Sequence, residues 1–145
     1  MEQLIAQLRI ILANTVVLYW KSHAIHFNVI GADFPQYHAF FNTVYDDLQD
    51  AIDPVGEHIR MVGGRAPTSL PALMDITSIT GEVGEDADFE AMITDFQAAN
   101  DSIITTLREG ISVADEAGEP AVSNFLQDRL GAHQKLAWMV RSILE

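Results

Sequence analysis

Residues 22–64 read SHAIHFNVIGADFPQYHAFFNTVYDDLQDAIDPVGEHIRMVGG, and this stretch decides the fold. It joins the end of one apolar-periodic segment to the whole of a second. Gly31 ends the first. Asp33 is suited to cap a following helix, and Pro35 falls in its first turn, where the missing N–H is harmless. That second helix is predicted to run to about Val62, where Gly63-Gly64 stops it. Pro54 and Gly56 lie inside it, so a kink or local bulge is expected there.

Upstream, Ile5, Leu8, Leu12, Thr15, Tyr19, Ser22 and His26 follow the i, i+3/i+4 spacing of one helix face. A second stripe, Leu4, Ile11, Leu18 and Ile25, runs beside it. Two adjacent stripes are more than one neighbour would cover, which points to a subunit interface. Downstream, Pro67, Pro71, Gly81 and Gly84 punctuate a long connection in which Leu70 to Ile76 has room for a short helix. So long a connection suits a segment that crosses a bundle. A third long helix carries Phe89, Ile93, Phe96, Asn100, Ile103, Leu107 and Ala114 in register, and Gly118-Glu119-Pro120 breaks it. The last carries Val122, Leu126, Arg129, His133, Leu136, Val140 and Leu144. Helix, helix, crossover, helix, helix resembles the ferritin-like arrangement. The fold class expected is therefore all-α, a ferritin-like four-helix bundle with a short extra helix in the crossover between the second and third long helices. Residues 1–145 read as a single domain.

Charge and composition narrow the function. Eight basic residues face 21 acidic ones, a net of −13, and the basic ones are scattered. A phosphate backbone repels such a chain, whereas metal cations are attracted to it. The absence of cysteine excludes disulfides, iron–sulfur clusters and thiolate zinc sites. No segment reads as an unbroken membrane span, and the opening lacks the basic region of a signal peptide. A soluble, cytoplasmic protein is expected.

Four of the five histidines, His23, His26, His38 and His58, fall in the first two helices, near Asp46, Asp47, Asp50, Asp53 and Glu57. Imidazole with carboxylate suits iron or zinc, and open positions suit ferrous iron that must meet an oxidant. Asp53 and Glu57 share a helix face at i, i+4, and a turn at Gly31 brings His26 towards His38. His38 and Asp53, however, are separated by roughly 22 Å at 1.5 Å rise per residue. One ion joins both pairs only if a second subunit, related by a two-fold axis, lays its acids against these histidines. The rival site within one bundle uses Glu-x-x-His, and no glutamate stands three residues before any histidine.

The run Leu12-Ala13-Asn14-Thr15-Val16, then Tyr19-Trp20-Lys21-Ser22 and His26-Phe27-Asn28-Val29-Ile30-Gly31, resembles the first helix of the Dps family of miniferritins. Phe34 and His38, then Asp53-x-x-x-Glu57 with Arg60 and Gly63-Gly64, resemble that family's second histidine and acid pair, and Ala137-Trp138-Met139 fits its ending. The resemblance implies a ferroxidase centre at each dimer interface, with His26 and His38 from one subunit and Asp53 and Glu57 from its mate as metal ligands. It implies ferrous iron oxidised by hydrogen peroxide, with zinc able to replace it, and ferric mineral held in a dodecamer built from two-fold dimers. Acids near the last break, Asp115, Glu116, Glu119 and Asp128, would then line an iron-entry pore or form an ordinary acidic loop. An alternative is a similar cage of weak activity that mainly binds zinc or iron, or a structural nucleoid protein.

The chain departs from the family at four places. Asn42 stands where an aspartate is usual, Phe27 where a tryptophan is usual, and His23 where a lysine is common, placed to join the site. No lysine precedes Lys21, so the basic DNA-binding tail of many members is missing and strong DNA binding is not expected. His58 and His133 read as structural, and Tyr19, Trp20 and Trp138 as core or interface packing.

Overall fold

The apolar repeats become five helices and no strand in the computed structural model, which describes residues 1–145: α1 (Glu2–Asn28), α2 (Phe34–Met61), α3 (Leu70–Ile76), α4 (Phe89–Glu116) and α5 (Pro120–Leu144). α1 lies at the centre, packed on α2, on α4 and on the short α3, while α4 also carries α5. Both stripes of α1 are consumed by this packing: Leu4, Leu8, Ile11, Leu18 and Ile25 are all buried within one chain. The doubled stripe is thus explained by three intrachain neighbours and gives no reason to invoke a subunit interface. Each such side chain contributes about 2 kcal/mol on removal from water. Gly110 lets α1, α4 and α5 close together, because a Cβ there would meet Ile11 Cδ1 at 2.9 Å and Leu126 Cδ1 at 3.0 Å.

On length and apolar composition alone, α1 has what a membrane span requires, contrary to the reading of the sequence. Its burial against α2 and α4 accounts for that composition as the core helix of a bundle.

Gly31, at φ +102°, and Gly63, at φ +87°, adopt the left-handed conformation and end α1 and α2 at the expected places. Asp33 does occupy the N-cap position of α2, but its carboxylate accepts from the Gln36 amide at 2.9 Å and not from a backbone N–H. α2 is continuous as an α-helix through Pro54.

The long crossover is pinned to the bundle. Buried Asn14 spends three of its four amide hydrogen bonds on it: Oδ1 accepts from Thr77 Oγ1 at 2.6 Å and Ser78 N at 3.0 Å, while Nδ2 donates to Ser78 Oγ at 2.8 Å and, on α4, to Thr106 Oγ1 at 3.2 Å. Farther along, Lys21 Nζ donates to Gly81 O at 2.7 Å and pairs with Asp95 at 2.5 Å. An unpaired amide at Asn14 would cost about 1–3 kcal/mol, so this residue fixes where the crossover lies.

Candidate metal centre

The reversal at Gly31 sets the last turn of α1 beside the second turn of α2. There His26 and His38 hold each other: each Nδ1 is 2.7 Å from the other's backbone carbonyl. A carbonyl only accepts, so both Nδ1 atoms carry the proton, and in the neutral rings both Nε2 atoms keep a free lone pair. The His26 carbonyl is among the four that the end of α1 leaves without a helical partner, so His38 also caps the helix. The rings stack at 3.6 Å with an interplanar angle of 17°, and neither Nε2 makes a hydrogen bond within the chain. Ligand histidines in metal sites are held in this way, with the nitrogen away from the metal donating to a carbonyl.

Asp53 and Glu57 lie about four to five turns beyond His38 along α2, at 3.6 residues per turn, out of reach of the turn at Gly31. Both are exposed and i, i+4 on one face, and neither enters an ion pair within the chain. Asp50 is exposed beside them. Within one chain, no three histidine or acidic side chains converge to hold a metal ion. The chain therefore assembles the two imidazoles and keeps the two carboxylates apart from them. Its donor set, neutral imidazole with carboxylate, fits iron or zinc, but as two halves.

The remaining candidates separate clearly. His23 packs face to face on Tyr45, with centroids 3.9 Å apart, and its Nδ1 is sealed from solvent without a partner. Burial, then the nearby His26, pushes its pKa below 6.5. Asn42 is engaged at both ends, its Nδ2 donating to Asp46 at 2.8 Å and its Oδ1 accepting from the Tyr45 hydroxyl at 2.8 Å. His58 Nδ1 donates to the Pro54 carbonyl at 2.6 Å, and the ring stacks on Phe125 of α5. His133 is buried between α4 and α5. Its Nδ1 donates to Asn100 Oδ1 at 2.8 Å, and its Nε2 accepts from Arg129 at 3.3 Å. Burial above all, then the Arg129 charge, pushes its pKa down to about 3. Both histidines are structural.

Trp20 and Trp138 are 63% and 58% exposed, so neither is core packing, while Tyr19 does pack against the core. Asp115, Glu116 and Asp128 are exposed around the α4–α5 break, with Glu119 partly covered. Sequence reasoning missed Tyr45, whose ring meets His26 edge to face with centroids 5.1 Å apart. Its only signal was position, seven residues after His38 on the same helix.

Residues 5–145 match the model of the ferritin-like domain. The chain is 31% identical over 136 residues to the DNA protection during starvation protein of Brevibacillus brevis, an alignment covering 92% of this chain and 89% of that one. The crystal structure of a Dps protein from Bacillus brevis superposes with a TM-score of 0.91 at 30% identity, over 99% of this chain and 96% of that one. That of the Dps protein from Vibrio cholerae O1 does so at 0.92 and 26% identity, over 99% and 90%. In sequence and in fold alike, this chain belongs to the ferritin-like family, as a member of the Dps miniferritins.

Proposed function

We propose that this protein oxidises ferrous iron with hydrogen peroxide at centres shared between two-fold-related subunits. The ferric product is stored as mineral inside a homododecameric shell in the cytoplasm. At each centre His26 and His38 of one subunit bind iron through Nε2, and the mate's Asp53 and Glu57 close the site as carboxylate ligands. The supporting observation is the reciprocal lock between the two histidines, which fixes both tautomers with the ligating nitrogen free. A ferrous ion bound by two neutral imidazoles and two carboxylates becomes more readily oxidised, because the charge of the ligands favours the ferric state. Removing ferrous iron and peroxide together keeps them from generating hydroxyl radicals, which is the protective activity.

The V. cholerae relative is described as a member of a superfamily of ferritin-like diiron-carboxylate proteins, and other relatives are named for DNA protection or DNA binding. For this chain, protection is proposed to work through iron chemistry rather than by coating DNA. A net charge of −13 with scattered basic residues gives a duplex little to hold. Mobility shifts at low salt are expected to show no tight complex.

Mixed cages test the shared centre. His26→Ala with His38→Ala is expected to leave the shell intact and slow ferrous oxidation more than about 100-fold, beyond the loss usual for an outer partner of a metal ligand. Asp53→Ala with Glu57→Ala is expected to do the same. Refolded together, the two inactive chains should regain about a quarter of the wild-type activity, because only a mixed dimer rebuilds one intact site of its two. A mixture as inactive as its components would contradict the shared centre.

A second reading is favoured by one observation, the engagement of Asn42 at both ends of its amide. It holds that the cage binds zinc or iron but turns over slowly. Iron oxidation rate and metal content measured on one preparation separate the two: high occupancy with a slow rate supports this second reading.

A further inference from the structure

We propose that Tyr45 supplies one of the two electrons needed to reduce peroxide at the His26–His38 centre, which then works with a single bound ferrous ion at a time. The inference rests on the iron-oxidising reading above.

Two observations carry it. The first concerns the second metal position. Asn42 holds Asp46 with its nitrogen and the Tyr45 hydroxyl with its oxygen, both at 2.8 Å, so it offers no ligand beside the histidine pair. One ferrous ion yields one electron, and peroxide reduced by one electron releases hydroxyl radical. A centre with one firmly held iron therefore needs another donor close by.

The second observation is which rings surround the pair. Phe34 stacks on His38 at 4.7 Å, while Tyr45, Phe27 and His23 lie 5.1, 5.9 and 6.4 Å from His26. Benzene and imidazole rings resist one-electron oxidation, whereas a phenol gives up an electron readily as it loses its proton. Tyr45 is the one phenol or indole among these four. Its ring is held face to face on His23 at 3.9 Å, and its hydroxyl is anchored on Asn42. Trp20 meets His23 at 6.1 Å, one ring farther out.

The step balances as Fe²⁺ + Tyr45–OH + H₂O₂ + H⁺ → Fe³⁺ + Tyr45–O• + 2 H₂O. The O–O bond breaks, iron and phenol each give one electron, and the phenolic proton and one from solvent complete the two waters. A second ferrous ion then reduces the radical, Tyr45–O• + Fe²⁺ + H⁺ → Tyr45–OH + Fe³⁺.

Freeze-quench electron paramagnetic resonance tests this on the assembled protein, loaded without oxygen with one ferrous ion per His26–His38 pair and mixed with hydrogen peroxide. A tyrosyl signal is expected in the wild type and in Trp20→Phe. Tyr45→Phe is expected to lose it and to raise spin-trapped hydroxyl radical several-fold, with ferrous binding unchanged. Tyr45→Trp keeps an oxidisable ring and should show a tryptophanyl signal instead, which guards against a packing defect in the phenylalanine variant. An unchanged signal in Tyr45→Phe overturns the proposal. So does a wild type without any tyrosyl signal whose oxidation is still abolished by His26→Ala with His38→Ala. If that double variant oxidises iron as fast as the wild type, the iron centre itself is wrong and the role of Tyr45 falls with it.

Discussion

His133 and the His26–His38 pair are built from the same side chain and differ in one respect. His133 is saturated, with Asn100 on one nitrogen and Arg129 on the other, in the interior. His26 and His38 are each satisfied on one nitrogen only, at an edge of the bundle. A histidine spent on both sides serves stability. A histidine fixed on one side, with the other free, is prepared for a ligand. The comparison teaches that the hydrogen-bond account of each ring, more than its burial, separates structural histidines from candidate ligands.

Substitution should split the two regions along that line. His133→Ala leaves Asn100 Oδ1 without its donor and opens a cavity, and is expected to lower unfolding free energy by about 3–5 kcal/mol in urea titration. Oxidation per folded cage should hardly change. His38→Ala is expected to reverse the pattern, losing about 1 kcal/mol of stability, the value of one hydrogen bond, while ferrous oxidation slows towards the rate of the double histidine variant. Equal stability losses at both positions would break the comparison.

Acid sharpens it further. The fold holds His133 neutral, with a pKa pushed down to about 3 from 6.5, so the unfolded chain binds the proton first. This contribution to stability is complete above pH 6.5 and shrinks as pH falls, at up to about 1.4 kcal/mol per unit, until it levels near pH 3. Denaturant midpoints taken from pH 7 to pH 4 should fall more steeply for the wild type than for His133→Gln, which has no such proton to bind. Parallel curves would show that His133 is not held neutral.

Smaller effects lie around the candidate centre. Asn42→Asp restores a charged oxygen ligand and is expected to raise ferrous binding towards two ions per centre in anaerobic titration. Smallest of all is Asp47→Asn, which removes the partner of Arg129 at 3.0 Å on a side chain 56% exposed. It should cost less than about 1 kcal/mol, as water-exposed ion pairs usually do.

Much of this was legible in the chain. Punctuation by Gly31, Gly63-Gly64 and Gly118-Glu119-Pro120 placed the long helices, and Leu70–Ile76 forms the short crossover helix as read. Periodicity of 3.6 reports which face is apolar but not how many neighbours cover it, so the doubled stripe of α1 suggests a subunit interface although intrachain neighbours bury most of it. The Asp33 carboxylate had two local donors to choose from, and spacing cannot decide between them. Spacing did bring His26 to His38 and keep Asp53 and Glu57 away. It could not reveal the exchanged Nδ1–carbonyl bonds, the engagement of Asn42 or the nearness of Tyr45, because these depend on how α1 and α2 are rotated against each other.

A crystal of the assembled protein soaked in ferrous salt and read at the iron absorption edge tests the shared centre most directly. Anomalous density is predicted between the Nε2 atoms of His26 and His38 in one subunit and the carboxylates of Asp53 and Glu57 in its two-fold mate. Density lying only within the helices of a single chain, with the histidine pair vacant, would contradict it.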